Sequence, residues 1–270
     1  MKPESSRGPP SSFPLALLGV ACLVSTCARD RARTSQATFA TPKDEAAPFI
    51  PGQEGDDAPL TTLRPPPPAG AARAALLAEV ERELAVMKTS IYSHRARIDE
   101  TAGAFDYDCS GLLDYALSRA APDALAAVQA TTSRRPRSSD YVAFLSTIPI
   151  GSTKGRWVHV GRAKDLLPGD VIAWLKPPES SSSNTGHTMI VHGAVTPDSE
   201  EPGAIVVPIV DSTEHPHVPG DVRAAAHRTG LGQGEIVLIT DMSGRPVGYR
   251  WSRGARSREK TTAIALGRLQ

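Results

Sequence analysis

The clearest pattern along the chain is an amphipathic helix that follows a polar turn. From residue 112 onward, apolar residues recur at helical spacing directly after the segment FDYDCSG (105–111), and this spacing predicts a helix with one apolar face. Asp108 or Cys109 then falls at the helix N-cap, so the Cys109 thiol lies among backbone N–H groups that have no partner within the helix. The apolar positions are Leu112, Leu113, Ala116 and Leu117.

Two further segments have helical periodicity. The first runs from Ala71 to about Ile91, with charged residues on the face opposite its apolar residues, and it predicts the helix that begins the folded domain. Its apolar positions are Leu76, Leu77, Val80, Leu84 and Met87. The second is a short helix predicted from Tyr141 to Ile148.

Beyond residue 155 the pattern changes to short runs of apolar residues that are rich in β-branched side chains and separated by turn residues, which is typical of strands. Residues 156–160 are either a strand or an extended arm, and the later predicted strands span 171–175, 186–195, 204–210, 235–240, 247–251 and 262–266. Helices followed by antiparallel strands indicate an α+β domain, in which the cysteine helix packs on a sheet of about five or six strands.

The first quarter of the chain has a different composition. Two basic residues precede the apolar run FPLALLGVACLV (13–24), so we interpret residues 1–27 as a bacterial export signal. The signal is of lipoprotein type if Cys27 is the lipidated residue; Cys22 as the lipidated residue, or a plain secretory signal, are the alternatives. Residues 28–70 are rich in proline and predict a disordered tether, which leaves 71–270 as the catalytic domain. We therefore expect an exported protein of the bacterial cell envelope that is anchored to the membrane and faces the periplasm.

Charge and cysteine usage narrow the function. A net charge of +1 argues against a nucleic-acid-binding protein. Of the three cysteines, Cys22 and Cys27 are consumed or removed with the signal, so Cys109 remains without an internal partner in an oxidising compartment. A buried structural cysteine and a disulfide between two chains are the alternatives to a reactive thiol. We favour the reactive thiol, because the positive end of a helix lowers the pKa of a cysteine.

A nucleophilic thiol needs a base. The strand from Gly186 carries His187 and His192 on opposite faces, and we predict that His187, at the start of the strand, is the base, whereas His192 is a structural or surface residue. Asp211 ends the next predicted strand and is able to orient His187 by accepting a hydrogen bond from its second ring nitrogen. The alternative for Asp211 is an ordinary residue that caps a turn.

Two histidines follow Asp211 in the segment EHPH (214–217). With Asp211 and Glu214 nearby, His215 and His217 could bind zinc, but the loop holds no cysteine ligand and contains a proline, so we predict no metal site. One of these two histidines could instead orient His187.

Three motifs in this order resemble the NlpC/P60 family of papain-like cysteine peptidases: DCSG (108–111) before an apolar helix, LPGDV (167–171), and GH (186–187) at the start of a strand. The resemblance covers residues 90–215. It implies a papain-like fold and hydrolysis of amide bonds in peptidoglycan stem peptides, typically next to D-glutamate and diaminopimelate. It also implies that Cys109 is the nucleophile, that His187 is the base and then the acid, and that the next strand holds a polar third residue.

The family usually has His, Asn or Gln as that third residue, whereas this chain has Asp211, with His215 as the alternative. In some members, an upstream tyrosine and the residues that flank the cysteine bind the free amino end of the stem peptide, and Tyr92, Asp108 and Ser110 are the matching positions. The chemistry needs no cofactor, and we expect a monomer that acts on peptidoglycan or another peptide substrate. The alternative functions are an acyltransferase or amidase of the same fold with a different substrate, and a silent cell-wall-binding protein.

Overall fold

The computed structural model describes residues 70–181, 183–254 and 257–270. The predicted export signal, Cys22, Cys27 and nearly all of the tether lie outside these residues. Within the described part of the chain, no helix is long and apolar enough to cross a membrane. The helices are α1 Ala71–Val86, α2 Cys109–Ala120, α3 Pro122–Gln129, α4 Ser138–Ser146 and the short α5 Val222–Ala225.

The strands form a small hairpin and one large antiparallel sheet. In the hairpin, β1 Arg97–Asp99 pairs with β2 Ala104–Asp106. The sheet contains β3 Thr153–Lys154, β4 Trp157–Val160, β5 Val171–Leu175, β6 Gly186–Val191, β7 Thr196–Pro197, β8 Ala204–Thr213, β9 Gly230–Thr240, β10 Pro246–Arg250, β11 Glu259–Thr261 and β12 Ile264–Leu269. Its strand order is β11-β10-β9-β8-β6-β5-β12-β4-β3, with β7 paired to β8.

The predicted α+β class with an antiparallel sheet is confirmed, but the prediction of five or six strands was wrong, because the described sheet has ten. The prediction missed β3, β7 and β11, which are only two or three residues long. Strands this short contain too few positions for an alternating pattern to be recognised.

Helix α1 is shorter than predicted. It ends at Val86, whereas the apolar pattern suggested an end near Ile91. The segment beyond Met87 leaves the helix and runs beside β2 and the residues that follow it, where Thr89 pairs with Ala104 and Tyr92 pairs with Tyr107. This pairing brings Tyr92 close to the start of α2.

Helix α2 begins as predicted. Asp108 is its N-cap, and its side chain accepts a hydrogen bond from the Gly111 N–H at 2.7 Å. An N-cap aspartate satisfies one of the free N–H groups of the first turn and places negative charge at the positive helix end. Cys109 is therefore the first residue of the helix.

The sheet is buried on both faces, and the residues of β5 show this alternation. Val171 and Ala173 pack with α1, α2 and α4 in one core, whereas Ile172 and Trp174 belong to a second core on the other face. The second core contains sheet residues from β4 to β12, so the sheet curves around it. Trp174 of β5 stacks on Tyr249 of β10 with 3.9 Å between ring centroids, although three strands separate β5 from β10 in the sheet.

Candidate active site

The Cys109 thiol is held between a helix end and the sheet. Cys109 is buried, with 5% of its surface exposed, and the backbone N–H of Thr188 in β6 forms a hydrogen bond with its sulfur. The Ser138 hydroxyl at the start of α4 lies 3.7 Å from Sγ. The thiol thus lies at the N-termini of two helices, where free N–H groups and the helix dipoles favour a negative charge.

His187 lies beside this thiol, as the sequence predicted. It follows Gly186, whose φ of +144° and close approach to the Trp174 carbonyl leave no room for a Cβ atom, so the strand begins with a glycine. The His187 ring forms a hydrogen bond with Cys109. Its Nε2 atom lies 2.6 Å from Asp211 Oδ2, which leaves Nδ1 as the nitrogen that faces the sulfur.

The charges of the cysteine and the histidine stabilise each other. Burial opposes ionisation of Cys109, but the charge and hydrogen bond of His187 and the N–H of Thr188 outweigh it, so the thiol pKa lies below its usual range. Burial likewise opposes protonation of His187, but the Cys109 thiolate and the Asp211 carboxylate raise its pKa to about 10. The favoured state near neutral pH is therefore a thiolate–imidazolium pair, in which the nucleophile is already ionised.

Asp211 accepts hydrogen bonds from three cationic or imidazole groups. Besides His187, the His217 Nε2 atom lies 2.9 Å from Asp211 Oδ2, and Nη2 of Arg223 lies 2.8 Å from Oδ1. Burial opposes ionisation of Asp211, but the charges of His217 and Arg223 and the two histidine hydrogen bonds hold its pKa well below the usual range. The structure therefore places Asp211 in the predicted orienting position, as an anion in the interior of β8 and not beyond its end.

His217, and not His215, makes the second histidine contact with Asp211. The His217 ring is fully buried, and its Nδ1 donates a hydrogen bond to the Trp251 carbonyl oxygen at 2.6 Å. The predicted alternative third residue, His215, lines a cavity with His187, while its backbone carbonyl accepts a hydrogen bond from the Trp251 indole N–H.

Sequence reasoning missed Arg223 and the contact of His217 with Asp211, although the segment GLGQG (230–234) of β9 carries a signal for both. A Cβ atom on Gly232 would lie 2.5 Å from the Arg223 side chain, and one on Gly234 would lie 2.7 Å from His217. Glycines at alternating strand positions share one face and permit close approach. Gly232 pairs with Asp211, so these glycines open the space that the two cations fill.

His187, Asp211 and His217 also form the one described cluster that could hold a metal ion, with ligand atoms within 4.8 Å of one another. Both Nε2 atoms, however, lie at hydrogen-bond distance from the same carboxylate oxygen. Arg223 holds the other oxygen and would place a positive charge beside an incoming cation. The donor set therefore fits a hydrogen-bonded relay better than a metal site.

Two cavities meet at the catalytic pair. The first, of about 330 Å³, is lined by Cys109 together with all three residues that the resemblance assigned to substrate binding, and we call it the cysteine-side cavity. Its lining residues include Tyr92, Asp108, Ser110, Arg134, Arg135, Arg137 and Ser138. The second, of about 490 Å³, is lined by His187 and is called the histidine-side cavity. Its lining residues include Tyr92, Trp174, Glu214, His215, Tyr249 and Trp251.

The nucleophile helix is also tied directly to the strand that carries Asp211. The Ser212 hydroxyl donates a hydrogen bond to the Tyr107 carbonyl oxygen at 2.6 Å, and the N–H of Ser93 donates to the same oxygen at 3.2 Å. The Tyr92 N–H donates to the Thr229 hydroxyl at 3.1 Å. These bonds fix the segment that carries Tyr92 against both the turn before Cys109 and the sheet.

Comparison with known proteins identifies one relative. An uncharacterized protein of Acanthamoeba polyphaga mimivirus is 30% identical to this chain over 180 residues, an alignment that covers 60% of this chain and 77% of the viral protein. No family model and no solved structure matches the chain. The chemistry of the site therefore carries the functional argument.

Proposed function

We propose that this chain, which belongs to the same family as the uncharacterized mimivirus protein, is a cysteine hydrolase that cleaves amide bonds. One observation carries the proposal: a buried thiol at a helix N-terminus is hydrogen-bonded to His187, whose Nε2 lies 2.6 Å from the buried carboxylate of Asp211. A nucleophile, a base and an orienting group in contact form the arrangement that nucleophilic catalysis requires.

The geometry supports the following reaction. The Cys109 thiolate attacks the amide carbonyl carbon, and the sulfur–carbon bond forms as the carbonyl electrons move to oxygen. The carbon–nitrogen bond then breaks, and the His187 imidazolium donates its proton to the departing amine. Neutral His187 next removes a proton from water, which attacks the thioester and releases the carboxylic acid and the thiolate. Asp211 keeps the His187 ring oriented and stabilises its charged form.

The negative charge on the carbonyl oxygen needs donors near Cys109. The first-turn N–H groups of α2, that of Cys109 among them, have no acceptor within the helix and point toward its N-terminal end. Tyr92 lines both cavities, so its phenol is placed where it could add a further donor. Burial raises the Tyr92 pKa, which keeps its hydroxyl protonated near neutral pH.

The positions of the two reacting residues set the direction in which a substrate binds. Because His187 protonates the leaving amine, that part of the substrate lies on its side, in the histidine-side cavity with Trp174 and Trp251. The acyl part remains attached to sulfur and lies in the cysteine-side cavity with Asp108 and Arg135. The aromatic rings present a flat apolar surface to the amine portion.

The proposed class is the papain-like NlpC/P60 type, with peptidoglycan stem peptides as substrate. The DCSG, LPGDV and GH motifs support it, as do the helix that carries Cys109 and the antiparallel strands that carry His187 and Asp211. The proposal keeps the predicted export signal with Cys27 as the lipid anchor, which would place the enzyme beside the cell wall. A silent binding protein fits poorly, because Cys109 and His187 are in direct contact.

The test is digestion of purified peptidoglycan and of free stem peptides by the full chain, with products identified by mass. Cys109→Ala removes the nucleophile, and Cys22→Ala is the matched control because it removes a thiol outside the site. We expect new amino termini with the unmodified chain and with Cys22→Ala, and none with Cys109→Ala. Cleavage that persists in Cys109→Ala would overturn the proposed mechanism. Absence of cleavage by all three chains would overturn the proposed substrate.

A further inference from the structure

We propose that the cysteine-side cavity binds a carboxylate carried by the acyl part of the substrate, and that Arg137 is the main residue that recognises it. The inference rests on the proposed function for the assignment of this cavity to the acyl part. It departs from the expectation that Asp108 binds a free amino group. Three observations lead to it: the partners of Asp108, the charges that line the cavity, and the position of the arginines beside the thiol.

The Asp108 carboxylate is already satisfied by the protein. Nη2 of Arg135 lies 3.0 Å from Oδ1 and 2.8 Å from Oδ2, and Nδ1 of His94 lies 3.1 Å from Oδ2. The N–H of Gly111 and the hydroxyl of Ser110 both donate to Oδ1, at 2.7 and 3.1 Å. An incoming ammonium group would have to displace Arg135 and then share the cavity with its positive charge.

The charges that line the cavity favour an anion. Three arginines line it, against Asp108 as the sole carboxylate among the listed walls. Arg134 is partly neutralised from behind by Asp140, whose Oδ2 lies 2.6 Å from Nη1. Arg137 is exposed, and within the described residues its guanidinium makes no ion pair, so it is the cation with most capacity for a ligand.

A carboxylate is the anion that best fits this wall. Guanidinium groups present parallel N–H donors that match the two oxygens of a carboxylate. Small hydroxyl side chains lie among the arginines, and one of them, Ser138, is buried within 3.7 Å of the Cys109 sulfur. The bound carboxylate would thus lie on the acyl side, a short distance from the carbonyl that the thiolate attacks.

The first experiment measures this preference without requiring turnover. The full chain is alkylated with iodoacetate or with iodoacetamide, two reagents that differ in charge, and the modified Cys109 peptide is quantified by mass. In each reaction the thiolate forms a bond to the CH₂ carbon and iodide leaves. The ratio of the two rates is compared among the unmodified chain, Arg137→Gln, Arg137→Lys and Arg245→Gln. Arg245 is exposed on the β9–β10 turn and lines neither cavity, so it is the matched control.

We expect Arg137→Gln to lower the ratio of the iodoacetate rate to the iodoacetamide rate by about tenfold, as for the loss of a charge-assisted hydrogen bond. Arg137→Lys should retain most of the ratio, and Arg245→Gln should leave it unchanged. The attraction of iodoacetate to the His187 imidazolium is common to all four chains and cancels in the comparison. An unchanged ratio in Arg137→Gln would overturn the inference.

The second experiment uses matched amide substrates whose acyl part carries a carboxylate, a carboxamide or an amine at the same position. We expect kcat/KM to be highest for the carboxylate and the preference to fall about tenfold in Arg137→Gln. Hydrolysis with no preference, or with preference for the amine, would refute the carboxylate site while leaving the hydrolase intact. Loss of the alkylation preference in Arg137→Gln without hydrolysis of any substrate would support the site and refute the hydrolase.

Discussion

Two aspartates flank the catalytic cysteine in space, and each is held by an arginine and by histidine. Asp211 lies in the interior of the sheet, where His217 is fully buried and Arg223 is only 2% exposed. Asp108 lies at the start of α2, where Arg135 is 40% exposed and His94 is 64% exposed. The pKa of each aspartate lies below its usual range, although burial opposes ionisation of both.

The difference in exposure separates their roles. Asp211 and its partners have no water to replace a lost contact, so the network is rigid and suits the fixed orientation of His187. Asp108 and its partners face a cavity, so solvent or a ligand is able to compete with each contact. The same three residue types thus form a catalytic support in one region and a recognition surface in the other.

Substitution of the two aspartates should break the comparison most strongly. Asp211→Asn removes the charge that stabilises the His187 imidazolium, and we expect kcat/KM for amide hydrolysis to fall roughly 10³- to 10⁴-fold, as for loss of the acid in other triads. Asp108→Asn retains an N-cap acceptor, and we expect a loss of less than about tenfold. Steady-state kinetics on one amide substrate measures both. Equal losses would contradict the assignment of separate roles.

The two arginines should differ in their effect on stability. Arg223→Met leaves the buried carboxylates of Asp211 and Asp221 without their cation, and we expect a loss of about 3–5 kcal/mol in the free energy of unfolding. Arg135→Met exposes Asp108 to water that reaches the cavity, and about 1 kcal/mol is expected. Urea denaturation with analysis of both midpoint and slope measures the difference. A cost for Arg135→Met as large as that for Arg223→Met would show that the cavity wall is as rigid as the sheet.

The two histidines give a smaller version of the same contrast. A glutamine amide at position 217 is able to replace one of the two ring hydrogen bonds, to Asp211 or to the Trp251 carbonyl, but not both. We expect His217→Gln to destabilise the protein by about 1–3 kcal/mol, and His94→Gln by less than about 0.5 kcal/mol. Thermal unfolding of both variants at one pH provides the measurement. A larger effect of His94→Gln would reverse the order.

Glu83 sharpens the comparison as a buried carboxylate without a cation bonded to it. Its Oε2 accepts a hydrogen bond from Tyr107 at 2.5 Å, its Oε1 has no hydrogen-bond partner among the described residues, and burial raises its pKa to about 7. Because the folded pKa lies above the ordinary value of 4.5, this group stabilises the fold most below pH 4.5, and the contribution is lost as the pH rises through 7.

Glu83→Gln should therefore reduce the loss of stability between pH 5.5 and pH 8 by on the order of 2 kcal/mol. The free energy of unfolding from urea titrations at both pH values gives this quantity. Asp114, whose pKa burial also raises to about 7, is present in both proteins and leaves a residual dependence on pH. Parallel pH profiles for the two proteins would show that Glu83 does not titrate in this range.

The residues that were predicted correctly carry local signals. Asp108 and Cys109 precede an apolar helix, His187 follows a glycine at the start of a strand, and Asp211 lies seven residues into the next described long strand, β8. Each position was assigned from neighbours within a few residues. The chemical order of the three groups along the chain then suggested that they meet.

The partners of these residues were not predicted, because their contacts join distant parts of the chain. Arg135 lies in an irregular segment 27 residues after Asp108, and Arg223 reaches Asp211 from the short α5. No periodicity marks such residues; only the alternating glycines of β9 indicate that something large packs there. The end of α1 was predicted too late for a similar reason, since Thr89 and Tyr92 leave the helix to make tertiary pairs.

The most direct test of the thiolate–imidazolium pair is the pH dependence of Cys109 alkylation by neutral iodoacetamide, followed by mass in the full chain. An ordinary thiol with a pKa near 8.5 loses roughly fifty- to hundredfold in rate between pH 8 and pH 6. Because the Cys109 pKa is lowered and that of His187 is raised to about 10, we expect Cys109 to lose less than about threefold, and His187→Gln to restore the steep dependence. A steep loss in the unmodified chain would contradict the ion pair and the catalytic assignment built on it.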